Sequence, residues 1–245
     1  MREWSGKRYW LVGASEGLGR ALAHKLSRAG VELILSARST DRLESLVEEL
    51  PGPAEIVTVD VADSDSVKAA AEEVGDIDGM VYLAGLGTLI KTQDWDAEKV
   101  EQLLDVNLIG AARVIGQVIG PMVEKNKGHI VLTGSLSAYR GLPTAVGYSA
   151  SKAGLMSLAE SMHGDLKDTG VEVQLVNPGY IDTQMQDNNP YSKPFMMEPD
   201  EAAQEVFEHM NTDNFVKAFP FGFSLLFRFS RFLPTSLYEW MFFRR

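Results

Sequence analysis

The sequence contains no cysteine. That absence excludes a disulfide scaffold, a thiolate metal site and a cysteine nucleophile. Basic residues are in deficit, 23 Lys and Arg against 34 Asp and Glu, for a net charge of −11. A nucleic-acid binder carries the opposite balance, so no nucleic-acid partner is expected. No uninterrupted apolar run reaches the ~18 residues of a bilayer-spanning helix. The opening residues, MREWSGKRYW, lack the apolar segment of a secretion signal, and a cytoplasmic protein is expected. Histidines are few, and His24, His129, His163 and His209 show no metal-ligand spacing; no metal site is expected.

What is present is a regular alternation. Candidate strands are residues 9–12, 31–36, 55–59, 79–84, 129–134 and 171–176, with a seventh near 215–219. They are rich in Val, Ile and Leu without polar alternation, the pattern of strands buried on both faces. Helical stretches fall near 18–29, 41–50, 64–74, 96–125, 148–168 and 199–210, the last opened by Glu198-Pro199-Asp200-Glu201. This alternation predicts an α/β fold: a Rossmann-like, doubly wound parallel sheet of about seven strands with helices on both faces. With no linker, repeat or low-complexity segment, residues 1–245 are read as a single domain.

The loop after the first strand reads Val12-Gly13-Ala14-Ser15-Glu16-Gly17-Leu18-Gly19. Two chemistries fit it. Residues 13–17 match G-x-S-x-G, the nucleophile elbow of α/β hydrolases. The glycines could instead let backbone N–H groups approach a pyrophosphate at a helix N-terminus. Position decides against the elbow, whose oxyanion hole draws an N–H from an earlier strand–helix loop. No earlier loop exists, and no histidine completes an order of serine, acid and histidine. A phosphate cradle remains, although its spacing is G-x-x-x-G-x-G and Leu22 stands where G-x-G-x-x-G has its third glycine.

A sharper signal is Tyr148-Ser149-Ala150-Ser151-Lys152. Tyr and Lys four residues apart share one helix face. Ser135 lies thirteen residues earlier, at the end of the strand HIVLTG, where open α/β sheets build their sites. A free tyrosine has a pKa near ~10, and an adjacent ammonium can lower it by ~1–3 units, which makes the phenol a usable acid or base.

From about Lys7 to Thr183 the sequence resembles the short-chain dehydrogenase/reductase family. Ser135, Tyr148 and Lys152 match its catalytic residues in type, order and spacing, and Asn107 in DVNLIG sits where the family keeps a catalytic Asn. The resemblance implies hydride transfer between a nicotinamide cofactor and a carbonyl or secondary alcohol, with Tyr148 as general acid or base. Ser135 would polarise the carbonyl, Lys152 would also bond the nicotinamide ribose, and Asn107 would hold a water in a proton relay. The cofactor would be held by Gly13, Ser15, Glu16, Gly17, Leu18 and Gly19 of the loop, by Asp60 and Val61, by Ala84 and Gly85, and by Tyr148 and Lys152. Pro178, Gly179, Ile181 and Thr183, in NPGYIDT, would lie beside the nicotinamide. One element departs from the family: its Asn-Asn-Ala-Gly after the fourth strand is here Tyr82-Leu83-Ala84-Gly85. The alternative reading is a catalytically silent dinucleotide-binding sensor or scaffold.

The resemblance also implies NADP(H) in preference to NAD(H). Ala37 stands where NAD-preferring members carry an Asp for the ribose hydroxyls, and Arg38 follows it, a planar donor suited to a 2′-phosphate. Glu16 opposes this, since NADP-preferring members often carry a basic residue there. Residues 184–199 correspond to the family's substrate lid, and their mix of amides with Met, Tyr and Phe suits a small, moderately apolar carbonyl or alcohol substrate.

The tail has its own character. Nine of the eleven Phe residues lie after position 214. Residues 215–245 hold five basic residues to one acidic, a net of +4, which leaves −15 for residues 1–214. Read as a helix from about Gly222 to Leu233, the tail places Ser224, Arg228 and Arg231 on one polar stripe. Pro234 breaks it, and Thr235 or Ser236 can cap a second short helix. The remaining apolar arc is too wide to face water. A contact in a homodimer or homotetramer, or over the pocket, is the first expectation. Peripheral membrane contact through residues 220–245 is the second.

Overall fold

The computed structural model describes residues 2–187 and 189–243. Asn188 of the lid and Arg244 and Arg245 of the tail lie outside the described residues. Seven strands form one parallel sheet in the order β3-β2-β1-β4-β5-β6-β7. They are β1 (Arg8–Val12), β2 (Glu32–Ser36), β3 (Ala54–Ile56), β4 (Gly79–Tyr82), β5 (Gly128–Thr133), β6 (Val171–Pro178) and β7 (Val216–Phe219). The chain reverses direction across the sheet between β1 and β4, and such a switch point opens a ligand crevice at the strands' carboxyl ends. Val12 is in register with both Ser36 and Tyr82, so the loops after β1, β2 and β4 emerge at one edge.

The central strands lack polar alternation because both faces are covered. Trp10, Val12, Met80, Tyr82, Ile130 and Leu132 point into one core layer, and Tyr9, Leu11, Val81 and Val131 into the other. The helices are α1 (Gly17–Arg28), α2 (Thr40–Glu49), α3 (Ser64–Val74), α4 (Ala97–Leu104), α5 (Gly110–Glu124), α6 (Val146–Leu166), α7 (Pro199–Met210), α8 (Phe221–Ser230) and α9 (Thr235–Phe242). The third strand is shorter than its apolar run. Val57 and Val59 still donate to Leu35 and Ala37, but the edge position gives them no second neighbour.

The expected helix over 96–125 is interrupted by a π-turn at Asp105–Ile109. By length and composition alone the run Ala97–Glu124 could cross a membrane, with a mean hydropathy of 1.4. Its inward side chains, Ala111, Val114, Ile115, Val118 and Met122, are packed in the sheet core. The π-turn is held from β4: the Tyr82 hydroxyl donates to the Val106 carbonyl at 2.6 Å. Tyr82 thus ties β4 to its neighbour at the place where Asn was absent from the sequence. The contact needs Gly110, because a Cβ there would lie 2.8 Å from the Tyr82 oxygen and 3.0 Å from Val61. Gly110→Ala should therefore lower stability by about 1–3 kcal/mol, an overpacking cost. In urea denaturation the Tyr82→Phe background should shrink that loss, since residues in contact are non-additive; full additivity would show that the added methyl does not meet the Tyr82 side chain.

Candidate active site

A cleft of about 640 Å³ opens at the carboxyl edge of the sheet. Its walls bring together the loop residues Gly13, Ser15, Glu16, Gly17, Leu18 and Gly19, then Arg38, Asp60, Val61, Ala84 and Gly85. Tyr148, Lys152, Pro178, Gly179, Ile181 and Thr183 close the other end. Gly13 carries φ of +96°, and a Cβ there would fall 2.4 Å from the Ala84 nitrogen, so the first loop lies against the end of β4.

This wall fits a dinucleotide on three observations. The N-terminus of α1 has no side-chain cap and no acidic residue in its first turn, so its amides are available to an anion. Thr133 lines the cleft, and its hydroxyl is buried with no hydrogen-bond partner. Finally, two cations, Arg38 and Arg42, line the cleft.

Ser135 follows β5 and caps a short 3₁₀ turn, Leu136–Ala138. Its oxygen accepts from the Ser137 amide at 3.2 Å and the Ser137 hydroxyl at 3.0 Å. Both lone pairs are engaged, which turns the Ser135 hydrogen outward as a donor. The Asn177 side chain holds the turn from β6, accepting from the Ser135 amide at 3.0 Å. Tyr148 lies in the first turns of α6, within hydrogen-bond reach of Ser135. Lys152 is one turn further on, buried, with its Nζ 6.0 Å from the Tyr148 ring centroid and donating to the Thr133 carbonyl at 2.8 Å.

The electrostatics differ from the expectation that Lys152 lowers the Tyr148 pKa. Burial pushes the Tyr148 phenol above its ordinary value, the Ser135 hydrogen bond pulls it back in part, and Tyr180 adds a smaller upward push. Lys152 exerts no such pull because its ammonium is itself desolvated, drawn down to about 8, and turned toward Thr133. The resting site therefore holds a protonated phenol.

Asn107 sits in the π-turn and is fully buried. Its Nδ2 donates to the Leu86 carbonyl at 2.9 Å and to the Ser151 hydroxyl at 3.0 Å, and its Oδ1 accepts from the Leu86 amide at 2.7 Å. It joins the segment after β4 to α6. Neither Asn107 nor Ser135 is part of the cleft wall, although Asn107 Oδ1 and Lys152 Nζ come within 3.4 and 3.6 Å of a Cβ built on Gly85.

Several residues at the site were not singled out by sequence. Arg42 lines the cleft and forms an ion pair with Glu16 across 26 residues. Its one signal is its place in the first turn of α2, shortly after Arg38. Ser137 and Asn177 orient Ser135, and Met185 and Gln186 of the lid reach over the cleft. The lid is pinned at its base by a bridge between Ile181 and Met197.

Comparison with known proteins meets this geometry from outside. The family model for short chain dehydrogenases matches residues 7–193. An uncharacterized oxidoreductase of Myxococcus xanthus is 33% identical over 98% of this chain and 97% of its own. A short-chain dehydrogenase from Streptomyces avermitilis superposes with a TM-score of 0.84 at 26% identity, covering 96% of this chain and 97% of its own. An alcohol dehydrogenase from the archaeon Thermococcus sibiricus, solved with 5-hydroxy-NADP, has a TM-score of 0.77 at 29% identity, covering 86% of this chain and 94% of its own. The sheet order, the glycine loop on its crevice and these likenesses agree: the chain belongs to the short-chain dehydrogenase/reductase family of nucleotide-binding oxidoreductases.

Proposed function

We propose that the protein is an NADP(H)-preferring reductase acting on the carbonyl of a small, moderately apolar molecule, and on the matching secondary alcohol in reverse. The observation that carries this reading is the approach of the Ser135 hydroxyl to a protonated Tyr148 beside a buried lysine, at one end of a dinucleotide-sized cleft. When bound, the nicotinamide cofactor supplies the hydride. Ser135, its lone pairs engaged by Ser137, donates to the substrate carbonyl and stabilises the growing negative charge on its oxygen. Tyr148 gives its phenolic proton to that oxygen. Lys152, buried one turn further along α6, resupplies the proton directly or through water. Asn107 holds Leu86 and Ser151 so that α6 presents Tyr148 and Lys152 to the cleft, and its remaining oxygen lone pair is the atom available to a relay water.

The adenosine end supports NADP(H). Glu16 would repel a 2′-phosphate, but Arg42 pairs with it and offsets its charge. Arg38, also on the cleft wall, is exposed and has no ion pair among the described residues, and it is suited to a charge-assisted contact worth about 1.5–3 kcal/mol. The 5-hydroxy-NADP held by the Thermococcus relative points the same way.

The test is steady-state kinetics over ketones, aldehydes, sterols and secondary alcohols with both cofactors. Catalytic efficiency with NADPH should exceed that with NADH by about 10-fold or more, and Arg38→Ala should erase most of the difference. Arg42→Ala should also narrow it, by releasing Glu16 toward the phosphate. Equal or better efficiency with NADH would overturn the cofactor preference. Tight cofactor binding with no hydride transfer on any substrate would favour the sensor reading.

A further inference from the structure

The tail is folded inside out relative to its sequence expectation. Ser224 does not share an outward stripe with Arg228 and Arg231. Ser224, Phe227 and Ser230 are the buried residues of α8, and the two serines satisfy their hydroxyls on the Phe221 and Phe227 carbonyls of their own helix. Small inward residues let α8 lie close to the turn after Ser135. The N-cap of α9 falls on Pro234, and neither Thr235 nor Ser236 makes a capping bond there. The tail is anchored firmly: Arg140 donates to the Leu233 carbonyl at 3.0 Å and lies 3.9 Å over the Tyr238 ring, whose hydroxyl donates to Gly141.

The outer face is correspondingly apolar. Phe221, Phe229 and Phe232 are 71, 62 and 83% exposed, and Leu237, Trp240 and Met241 continue the face along α9. Phe221, Leu225 and Phe229 recur at i, i+4 and i+8, a continuous stripe on one side of α8. The stripe extends to the lid, where exposed Phe195 packs on Phe223 with ring centroids 5.5 Å apart. Serines inside and phenylalanines outside are the reverse of a helix built to face water. Arg228 and Arg231 border the face, exposed and without an ion-pair partner among the described residues.

We propose that this face seats the protein on an anionic lipid bilayer, with α8 and α9 lying in the headgroup plane. Charge selects this occupant over a second copy. Among the described residues this face carries Arg228 and Arg231, exposed and without an ion pair, on a chain whose residues 1–214 sum to −15, so an anionic surface attracts this face and repels the others. A two-fold contact between copies would apply the patch to itself, bringing Arg228 and Arg231 of both together with Glu239 as the sole acidic residue of the segment. Arginines flanking Phe and Trp on a short helix suit an interface, where the rings enter the acyl boundary and the guanidinium groups reach phosphates.

The experiment is vesicle co-sedimentation of the full chain, with phosphatidylcholine alone and mixed with phosphatidylglycerol, alongside analytical ultracentrifugation. The protein should bind the mixed vesicles, more weakly as salt is raised, and bind the neutral ones little. Phe229→Glu with Phe232→Glu should lower partitioning by about 100-fold or more. Arg228→Glu with Arg231→Glu should lower it by about 10-fold or more on anionic vesicles only. These side chains are exposed, so thermal unfolding should stay unchanged in both variants, and sedimentation should report the same oligomer as the unaltered chain. Failure of the unaltered protein to bind mixed vesicles overturns the proposal. So does dissociation of an oligomer by the Phe substitutions, which would make the face a subunit contact.

Discussion

Tyr148→Phe should lower turnover by at least about 100-fold, the scale of a lost general acid. The substitution keeps the ring and removes the hydroxyl that Tyr148 presents to Ser135. The cleft wall that would hold the dinucleotide is otherwise untouched, so the cofactor dissociation constant, read by nucleotide fluorescence, should change little. Because burial holds the phenol above its ordinary value, carbonyl reduction should run at a steady rate through neutral pH and decline only on the alkaline side. Alcohol oxidation needs the phenolate as base and should climb over the same alkaline range. Undiminished turnover in Tyr148→Phe would remove Tyr148 from the mechanism altogether.

Lys152→Met should separate activity from stability. Turnover should fall by about 100-fold or more, since the group that resupplies the proton of Tyr148 is lost. The fold itself should gain. Burial lowers the Lys152 pKa from 10.5 to about 8, so the native state disfavours the charged form. The unfolded chain then binds more protons than the native one between these values, and stability rises with pH across that window. Below pH ~8 the penalty is present in full, and it is worth at most about 3 kcal/mol. Methionine fills similar volume without the charge, and loses about 1 kcal/mol for the missing hydrogen bond to Thr133. A net gain of about 1–2 kcal/mol near neutral pH should appear in urea denaturation, and it should shrink above pH ~8 and reverse as the pH approaches 10.5, where only the lost hydrogen bond remains. A variant that is less stable at neutral pH would show that the ammonium is stabilised in the fold rather than strained.

Much of the architecture was written locally. The runs over β1, β2, β4, β5 and β6 read as strands because residues buried on both faces must be apolar at every position. The start of α7 at Pro199 was legible because Glu198 and Glu201 form a capping box that needs only neighbouring atoms. Tyr148 and Lys152 were legible for a similar reason, since four residues on a helix place two side chains on one face whatever surrounds it. The place of the glycine loop, between β1 and α1, was readable from the apolar run before it and the helical pattern after it.

Other features depend on which segments the fold brings together, and no local signal carries that. Arg42 meets Glu16, Asn177 meets the Ser135 amide, and Tyr82 meets the carbonyl of Val106, each across twenty or more residues. The phenol of Tyr148 is raised rather than lowered because desolvation is set by everything packed around it, not by the lysine four residues on. The tail shows the limit most plainly. Composition alone established that its Phe-rich arc needs a cover, because periodicity reports which residues share a side of a helix. Which side turns inward was decided by the packing of α8 against the turn after Ser135. Ser224 and Ser230 are small enough to fit there on either side of Phe227, and Phe221 and Phe229 are left facing out.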